Sequence, residues 1–278
     1  MSVPFWQAIL LGVLQGLTEF LPVSSSAHLI LVQRLLPGFS QPGILFDVML
    51  HVGTLVAVVA YFRERIGGLL RDAVSRDEAK RRAAFRLALL LATSVALTGA
   101  ITLPLKKLAL EGMESLPRIG LALLATSALL AAAQVVGRRR GEGGLTLEEM
   151  RFSDAALIGA VQSLSALFRG LSRSGNTISV GLFTGLSRRA AAEYSFLLSV
   201  PTILSAALVE NVSEFRSSGH LVTDGSHLGV YLAGMATAAV VGYAAVALLL
   251  RLVVAMKLQP FVLYCALLGA AVLAAGLL

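Results

Sequence analysis

The chain has 278 residues, 56% of them hydrophobic and only 14% charged, with a mean hydropathy of +0.81 and a formal net charge of +7. A soluble domain carries about 25% charge, so lipid is the expected solvent, and spans of about 20 residues each leave room for six to eight hydrophobic segments and no second, soluble domain. The basic residues sit in short loops between apolar segments, which argues against nucleic acid as a partner, and the single Cys265 leaves no internal disulfide or thiolate metal cluster.

The N-terminal stretch MSVPFWQAILLGVLQG lacks a basic leader region and a small-residue cleavage site, so it is expected in the mature structure, with Trp6 as an interface anchor. The apolar run 5–21 leads into Ser24, Ser25, Ser26 and His28 behind the helix-breaking Pro22, and apolar residues then resume. Irregular backbone at membrane depth survives only inside protein or beside a wet cavity. Residues 5–33 are therefore expected to form a helix–break–helix re-entrant hairpin. Apolar segments follow at 44–62, 87–103 and 118–136, separated by a basic stretch over 63–86. Asp47 and His51, at i and i+4, read as structural groups of the first of these or as supports behind the site's reacting groups, rather than as catalytic residues.

Residues 155–171 run into Ser172, Arg173, Ser174, Gly175, Asn176 and Thr177, which predicts a second re-entrant hairpin over 155–186. Further spans are expected at 192–209, 229–250 and 258–278. Glu193 reads as an interfacial helix-start charge, and His220 and His227 as solvated in an outer loop.

Loop charges test this layout. Segments 63–86, 137–151, 188–189 and 251–257 hold sixteen of the 23 Lys and Arg residues. All four fall on one side, the inside by the positive-inside rule, only if 155–186 enters and leaves by the same face. The run Arg138–Arg140 is then a topology signal. There is also an internal repeat. QGLTEFLPVSS at 15–25 aligns with QSLSALFRGLS at 162–172, and FDVMLHVGTLV at 46–56 with YSFLLSVPTIL at 194–204, one residue further on. The expected fold is an all-α integral membrane protein of about six transmembrane helices plus two re-entrant helical hairpins, an inverted-topology repeat. It forms one membrane domain over 1–278, with halves of about 1–136 and 152–278.

The hairpins carry complementary chemistry. Gln15 and Glu19 share a helical face, and an acid at membrane depth costs at least ~2.5 kcal/mol, so its default reading is functional. Beside it lie the nucleophile candidate Ser25, the acid–base candidate His28, and the hydroxyls of Ser24 and Ser26. The second hairpin offers the planar fork of Arg173, a glycine that admits backbone N–H groups, the hydroxyls of Ser172, Ser174 and Thr177, and a helix N-terminus. Together these suit a phosphate. Glu19 with Gln15 supplies oxygen ligands for a divalent cation, and phosphoryl transfer needs little beyond such positioning and charge stabilisation.

QGLTEFLPVSSSAH at 15–28, GLSRSGNTIS at 170–179, FDVMLHVGTL at 46–55 and EYSFLLSVPTIL at 193–204 resemble, in order, the motifs of the undecaprenyl-diphosphate phosphatases, the bacitracin-resistance family. The resemblance covers nearly the whole chain. It implies a multi-pass enzyme of the bacterial plasma membrane, its site facing outside, that hydrolyses undecaprenyl diphosphate to undecaprenyl phosphate and inorganic phosphate and so recycles the carrier lipid for peptidoglycan synthesis. It implies a divalent cation, Mg²⁺ or Ca²⁺, a polyprenyl diphosphate as the lipid partner, the family's acidic element on Gln15 and Glu19, its catalytic serine and histidine on Ser25 and His28, and its phosphate-binding arginine on Arg173. The sequence departs from the pattern at Gln15, an amide in the first acidic position, and at Arg169, where a proline is usual. Either Glu19 or His28 suits the role of base, His28 as the nucleophile stays open, and a homodimer is compatible with the sequence. A transporter or flippase for a phosphorylated lipid is the rival reading, since inverted repeats with broken helices serve carriers too.

Overall fold

The computed structural model describes residues 3–39, 44–110, 115–140, 143–218 and 228–277. Among these, eleven α-helices run in order: α1 (Phe5–Phe20), α2 (Ser25–Leu35), α3 (Ile44–Tyr61), α4 (Arg63–Ala73), α5 (Glu78–Leu110), α6 (Leu116–Arg140), α7 (Phe152–Leu167), α8 (Arg173–Thr184), α9 (Arg188–Ser218), α10 (Leu228–Val254) and α11 (Gln259–Leu277). α5, α6, α9, α10 and α11 are long and apolar enough to cross a bilayer, and α3 makes a sixth span if taken with α4, from which it bends by 71°. The chain is an all-α, multi-pass integral membrane protein.

α1, α2, α7 and α8 have only 16, 11, 16 and 12 residues. At 1.5 Å per residue none spans ~30 Å of hydrocarbon. They form two hairpins that enter from opposite ends. Arg65 meets Glu193 and Glu148, Arg86 donates to the carbonyls of Leu147, Glu148 and Met150, and Arg188 donates to those of Gly137 and Val254. These contacts gather the four basic segments at one end, where α7 begins and α8 finishes. At the other end Val3, Leu36 and Phe39, flanking the first hairpin, pack with Val230 and Tyr231 at the start of α10.

Packing follows the repeat. α1 and α3 lie on α10, α7 and α9 lie on α5, and α6 lies on α11. Exchanging the halves leaves this pattern unchanged, so each hairpin rests on a long helix of the other half. Gly12 and Gly159, 147 residues apart, serve the same purpose. A Cβ on Gly12 would sit 2.9 Å from Cβ of Thr237 on α10, and one on Gly159 would sit 2.7 Å from Cα of Ser94 on α5. The extra residue in the second repeat is absorbed in the hairpin turn, where four residues join α1 to α2 and five join α7 to α8.

One expectation changes. The basic stretch 63–86 is helical for most of its length. α4 carries Ile66 and Leu69 against the main core, around Phe62, Leu90, Met150 and Phe196, and turns Leu70 outward. α5 begins at Glu78, well before its apolar part. His220 and His227 lie outside the described residues.

Candidate active site

The two hairpin turns touch. The Ser174 hydroxyl donates to the Leu21 carbonyl at 3.2 Å, and a Cβ on Gly175 would meet Cβ of Pro22 at 3.3 Å, so this glycine admits the opposite turn. Both helices that leave the turns start beside each other. The N-cap Ser24 side chain accepts from the Ala27 N–H, and the N-cap Ser172 side chain from the Gly175 N–H. α2 and α8 therefore present two positive N-terminal ends, the setting that favours anions.

Glu19, buried near the end of α1, organises the side chains. Oε1 accepts from Arg173 Nη2 at 2.6 Å; Oε2 accepts from the Ser25 hydroxyl at 2.6 Å and from Gln15 Nε2 at 3.0 Å. His51 Nε2 stands 3.7 Å from the same Oε2, while its Nδ1 donates to the Asp47 carbonyl at 2.8 Å. Arg173 Nη1 is buried and meets no partner among the described residues. A buried donor of a cation left unpaired is costly, and an incoming anion oxygen would satisfy it. Ser25 and Ser26 are half-buried, so the group is reachable.

His28 lies in the first turn of α2. Nδ1 donates to the Ser24 carbonyl at 2.7 Å, and Nε2 lies 2.6 Å from the Tyr264 hydroxyl of α11. Ser24 has φ +70°, a left-handed conformation that is strained for a residue with a Cβ.

Three hydroxyls expected to line a phosphate cradle are committed elsewhere. Ser172 caps α8, Ser174 holds the opposite turn, and Thr177, fully buried, bonds the Arg173 carbonyl and the Ser195 hydroxyl. The first turn of a helix leaves N–H groups in need of acceptors, and that demand takes Ser172. Ser24 is likewise a cap, and its hydroxyl lies 3.3 Å from that of Ser26. Two members of the neighbourhood carry no catalytic signal in the sequence. His51, expected to be structural or a support behind the reacting groups, faces Glu19; its i, i+4 spacing from Asp47 gives its helix face but not that partner. Tyr264 lies in an unbroken apolar run with no local signal.

For a metal ion, the described residues contain no group of three or more His, Cys, Asp or Glu side chains that could hold one. The atom that fits a hard cation is Gln15 Oε1, a buried oxygen with no partner among the described residues. A carboxylate has about four lone-pair directions, and Glu19 uses three. Two protein oxygens with the remainder from phosphate and water is how Mg²⁺ is commonly held.

The family model described as bacitracin resistance protein BacA matches residues 8–271. Among relatives, an undecaprenyl-diphosphatase of Geobacter sulfurreducens is 43% identical over 273 residues, 96% of each chain. One of Syntrophotalea carbinolica is 41% identical over 265 residues, covering 95% of this chain and 96% of its own. One of Methanosphaera stadtmanae is 35% identical over 278 residues, 94% of each chain. With a match over nearly its whole length and relatives this similar from end to end, the chain belongs to the bacitracin resistance protein BacA family.

Proposed function

We propose that this chain is a membrane phosphatase that hydrolyses undecaprenyl diphosphate to undecaprenyl phosphate and inorganic phosphate, in the bacterial plasma membrane with its site facing outside. The observation that carries the reading is Glu19, whose two oxygens address a hydroxyl and a guanidinium at 2.6 Å each. The undecaprenyl-diphosphatase names of the relatives supply the substrate. The gathering of basic segments at one end supports the orientation.

The isoprenoid tail lies along apolar helix walls, and the diphosphate enters between the hairpin turns. Arg173 binds phosphate oxygens through Nη1, and the N-termini of α2 and α8 add their positive ends. Ser25 Oγ attacks the terminal phosphorus while Glu19 takes its proton; the bridging P–O bond breaks and undecaprenyl phosphate leaves. Glu19 passes that proton to the departing undecaprenyl phosphate, then deprotonates the water that cleaves the phosphoserine; inorganic phosphate leaves and Ser25 Oγ recovers its proton from Glu19. A divalent cation held by Glu19 and Gln15 would supply charge neutralisation to the diphosphate.

The test is phosphate release from undecaprenyl diphosphate by protein purified in detergent, with Ser25→Ala and Arg173→Ala as controls. Wild-type release lost in both variants is expected. No release by folded wild type, or full release by Ser25→Ala, would overturn the reading, and a carrier that moves its ligand unchanged would give the first of these results.

A further inference from the structure

Both ring nitrogens of His28 are spoken for. Nδ1 lies 2.7 Å from the carbonyl oxygen of Ser24, an atom that only accepts, so Nδ1 carries a proton. In the neutral ring Nε2 then has a lone pair, and Tyr264 places its hydroxyl 2.6 Å away to donate to it. The rings of His28 and Tyr264 stack, with centroids 5.6 Å apart and planes within 12°. The neighbouring Cys265 thiol donates to the Pro22 carbonyl at 3.5 Å, so two successive residues of α11 grip the first hairpin turn. The free histidine side chain favours the proton on Nε2; here the Ser24 carbonyl demands the other tautomer, and Tyr264, donating to Nε2, holds it there.

We propose that Tyr264 is a positioning residue of the reaction. It locks His28 as the Nδ1–H tautomer, and His28 in turn braces the strained Ser24 peptide from which Ser25 projects toward Glu19. His28 is then neither base nor nucleophile, because no ring nitrogen is left to face the phosphate. Ser24, at φ +70°, needs such a brace. Its carbonyl belongs to the peptide that sets where the Ser25 Cα–Cβ bond points, and Ser25 must lie within hydrogen-bond reach of its base. The second hairpin differs here: Asn176, four residues after the N-cap Ser172 as His28 is four after Ser24, bonds across its own hairpin to Ser165 Oγ at 2.6 Å, whereas His28 bonds its own turn and α11.

This inference rests on the phosphatase reading for its kinetic half only. The spectroscopic half uses wild-type protein labelled with ¹⁵N-histidine in detergent micelles, with His28→Asn to assign the His28 signals. The expected spectrum has a protonated Nδ1 and a hydrogen-bonded, unprotonated Nε2, and Tyr264→Phe, which keeps the ring but removes the hydroxyl, shifts the Nε2 signal. Kinetically, Tyr264→Phe is expected to lower kcat about tenfold while KM stays within about twofold, the size of one lost positioning hydrogen bond. His28→Asn, which keeps a donor at the Nδ1 position, is expected to retain at least about tenfold more activity than His28→Ala, a rescue that no base or nucleophile would allow. A wild-type His28 found as Nε2–H or as imidazolium at neutral pH overturns the proposal. So does His28→Asn as inactive as His28→Ala, or Tyr264→Phe with unchanged kcat and spectrum. If Tyr264→Phe does not fold, the wild-type Nε2 signal decides: unprotonated and hydrogen-bonded supports Tyr264 in this role, and unprotonated but unbonded overturns it. Absence of phosphate release by wild type would defeat the phosphatase reading while leaving the tautomer still measurable.

Discussion

Arg173 and Glu19, 154 positions apart in the chain, form a 2.6 Å ion pair between the two hairpin turns. Both side chains are largely withdrawn from solvent, at 16% and 6% exposure. Breaking a buried pair by removing one partner costs about 3–5 kcal/mol, because the survivor is left charged and unpaired. The pair therefore does two things that mutation can separate: it joins the repeat halves and it holds an arginine ready for an anion.

Arg173→Ala is expected to lower thermal stability in detergent and to reduce kcat/KM at least about 10²–10³-fold, the usual loss for one charge-stabilising donor. Adding Glu19→Gln to Arg173→Ala removes the stranded carboxylate. The double variant should melt higher than Arg173→Ala alone yet stay inactive, since the base is gone too. Thermal unfolding beside phosphate release checks this, and a double variant no more stable than the single would show that the pair carries no such strain.

Gln15 makes a prediction about the cation. Its Oε1 is buried without a partner among the described residues, beside a carboxylate with room for one more contact. Chelator should abolish phosphate release and added Mg²⁺ or Ca²⁺ restore it. Gln15→Glu adds a charged oxygen at that place, and the cation concentration for half-maximal rate should fall by about tenfold, whereas Gln15→Leu should raise it. Identical cation dependence in all three proteins would remove Gln15 from the ion's surroundings.

These predictions use residues that the sequence exposes to different degrees. Pro22, the three serines after it and the SRSG turn are legible because a polar break inside an apolar run is tolerated at membrane depth only where protein or a wet cavity surrounds it. The repeat is legible because Gln15 with Gly12 and Gln162 with Gly159 keep one spacing while filling one packing role twice. α4 and the first turns of α5 are not, because their charges and open glycines carry no membrane-span signal and their helicity comes from leaning on the core. The hydroxyls of Ser172, Ser174 and Thr177 show the limit at the site. Sequence reveals a donor but not the nearest acceptor, and here helix capping takes Ser172, the opposite turn takes Ser174, and the Arg173 carbonyl and Ser195 take Thr177 first. His51 and Tyr264 approach the first hairpin from α3 and α11, and no local pattern marks a partner so distant.

The interlocked packing predicts opposite signs for one substitution. A Cβ at Gly12 would sit 2.9 Å from Cβ of Thr237, and one at Gly159 2.7 Å from Cα of Ser94, where two backbones meet. Gly12→Ala and Gly159→Ala should each destabilise by about 1–3 kcal/mol through overpacking. Gly67 and Gly68 on α4 have nothing within 4 Å, so alanine there should stabilise by about 0.5–1 kcal/mol through helix propensity. Thermal unfolding of the four variants gives the comparison, and losses of equal size at all four would mean that α4 packs more closely than the fold described.

Orientation can be read chemically because the only native cysteine, Cys265, is buried. Leu35, at the end of the first hairpin, and Val74, after α4, are 82% and 83% exposed and lie toward opposite ends of the molecule. With the basic end inside, Leu35→Cys should react with a membrane-impermeant maleimide in intact cells, and Val74→Cys only after permeabilisation, with wild type unlabelled in both. The reverse pattern would turn the molecule over. The basic clusters would then lie outside, against the asymmetry that insertion imposes on Lys and Arg, and the first hairpin, with Ser25 at its turn, would open toward the cytoplasm.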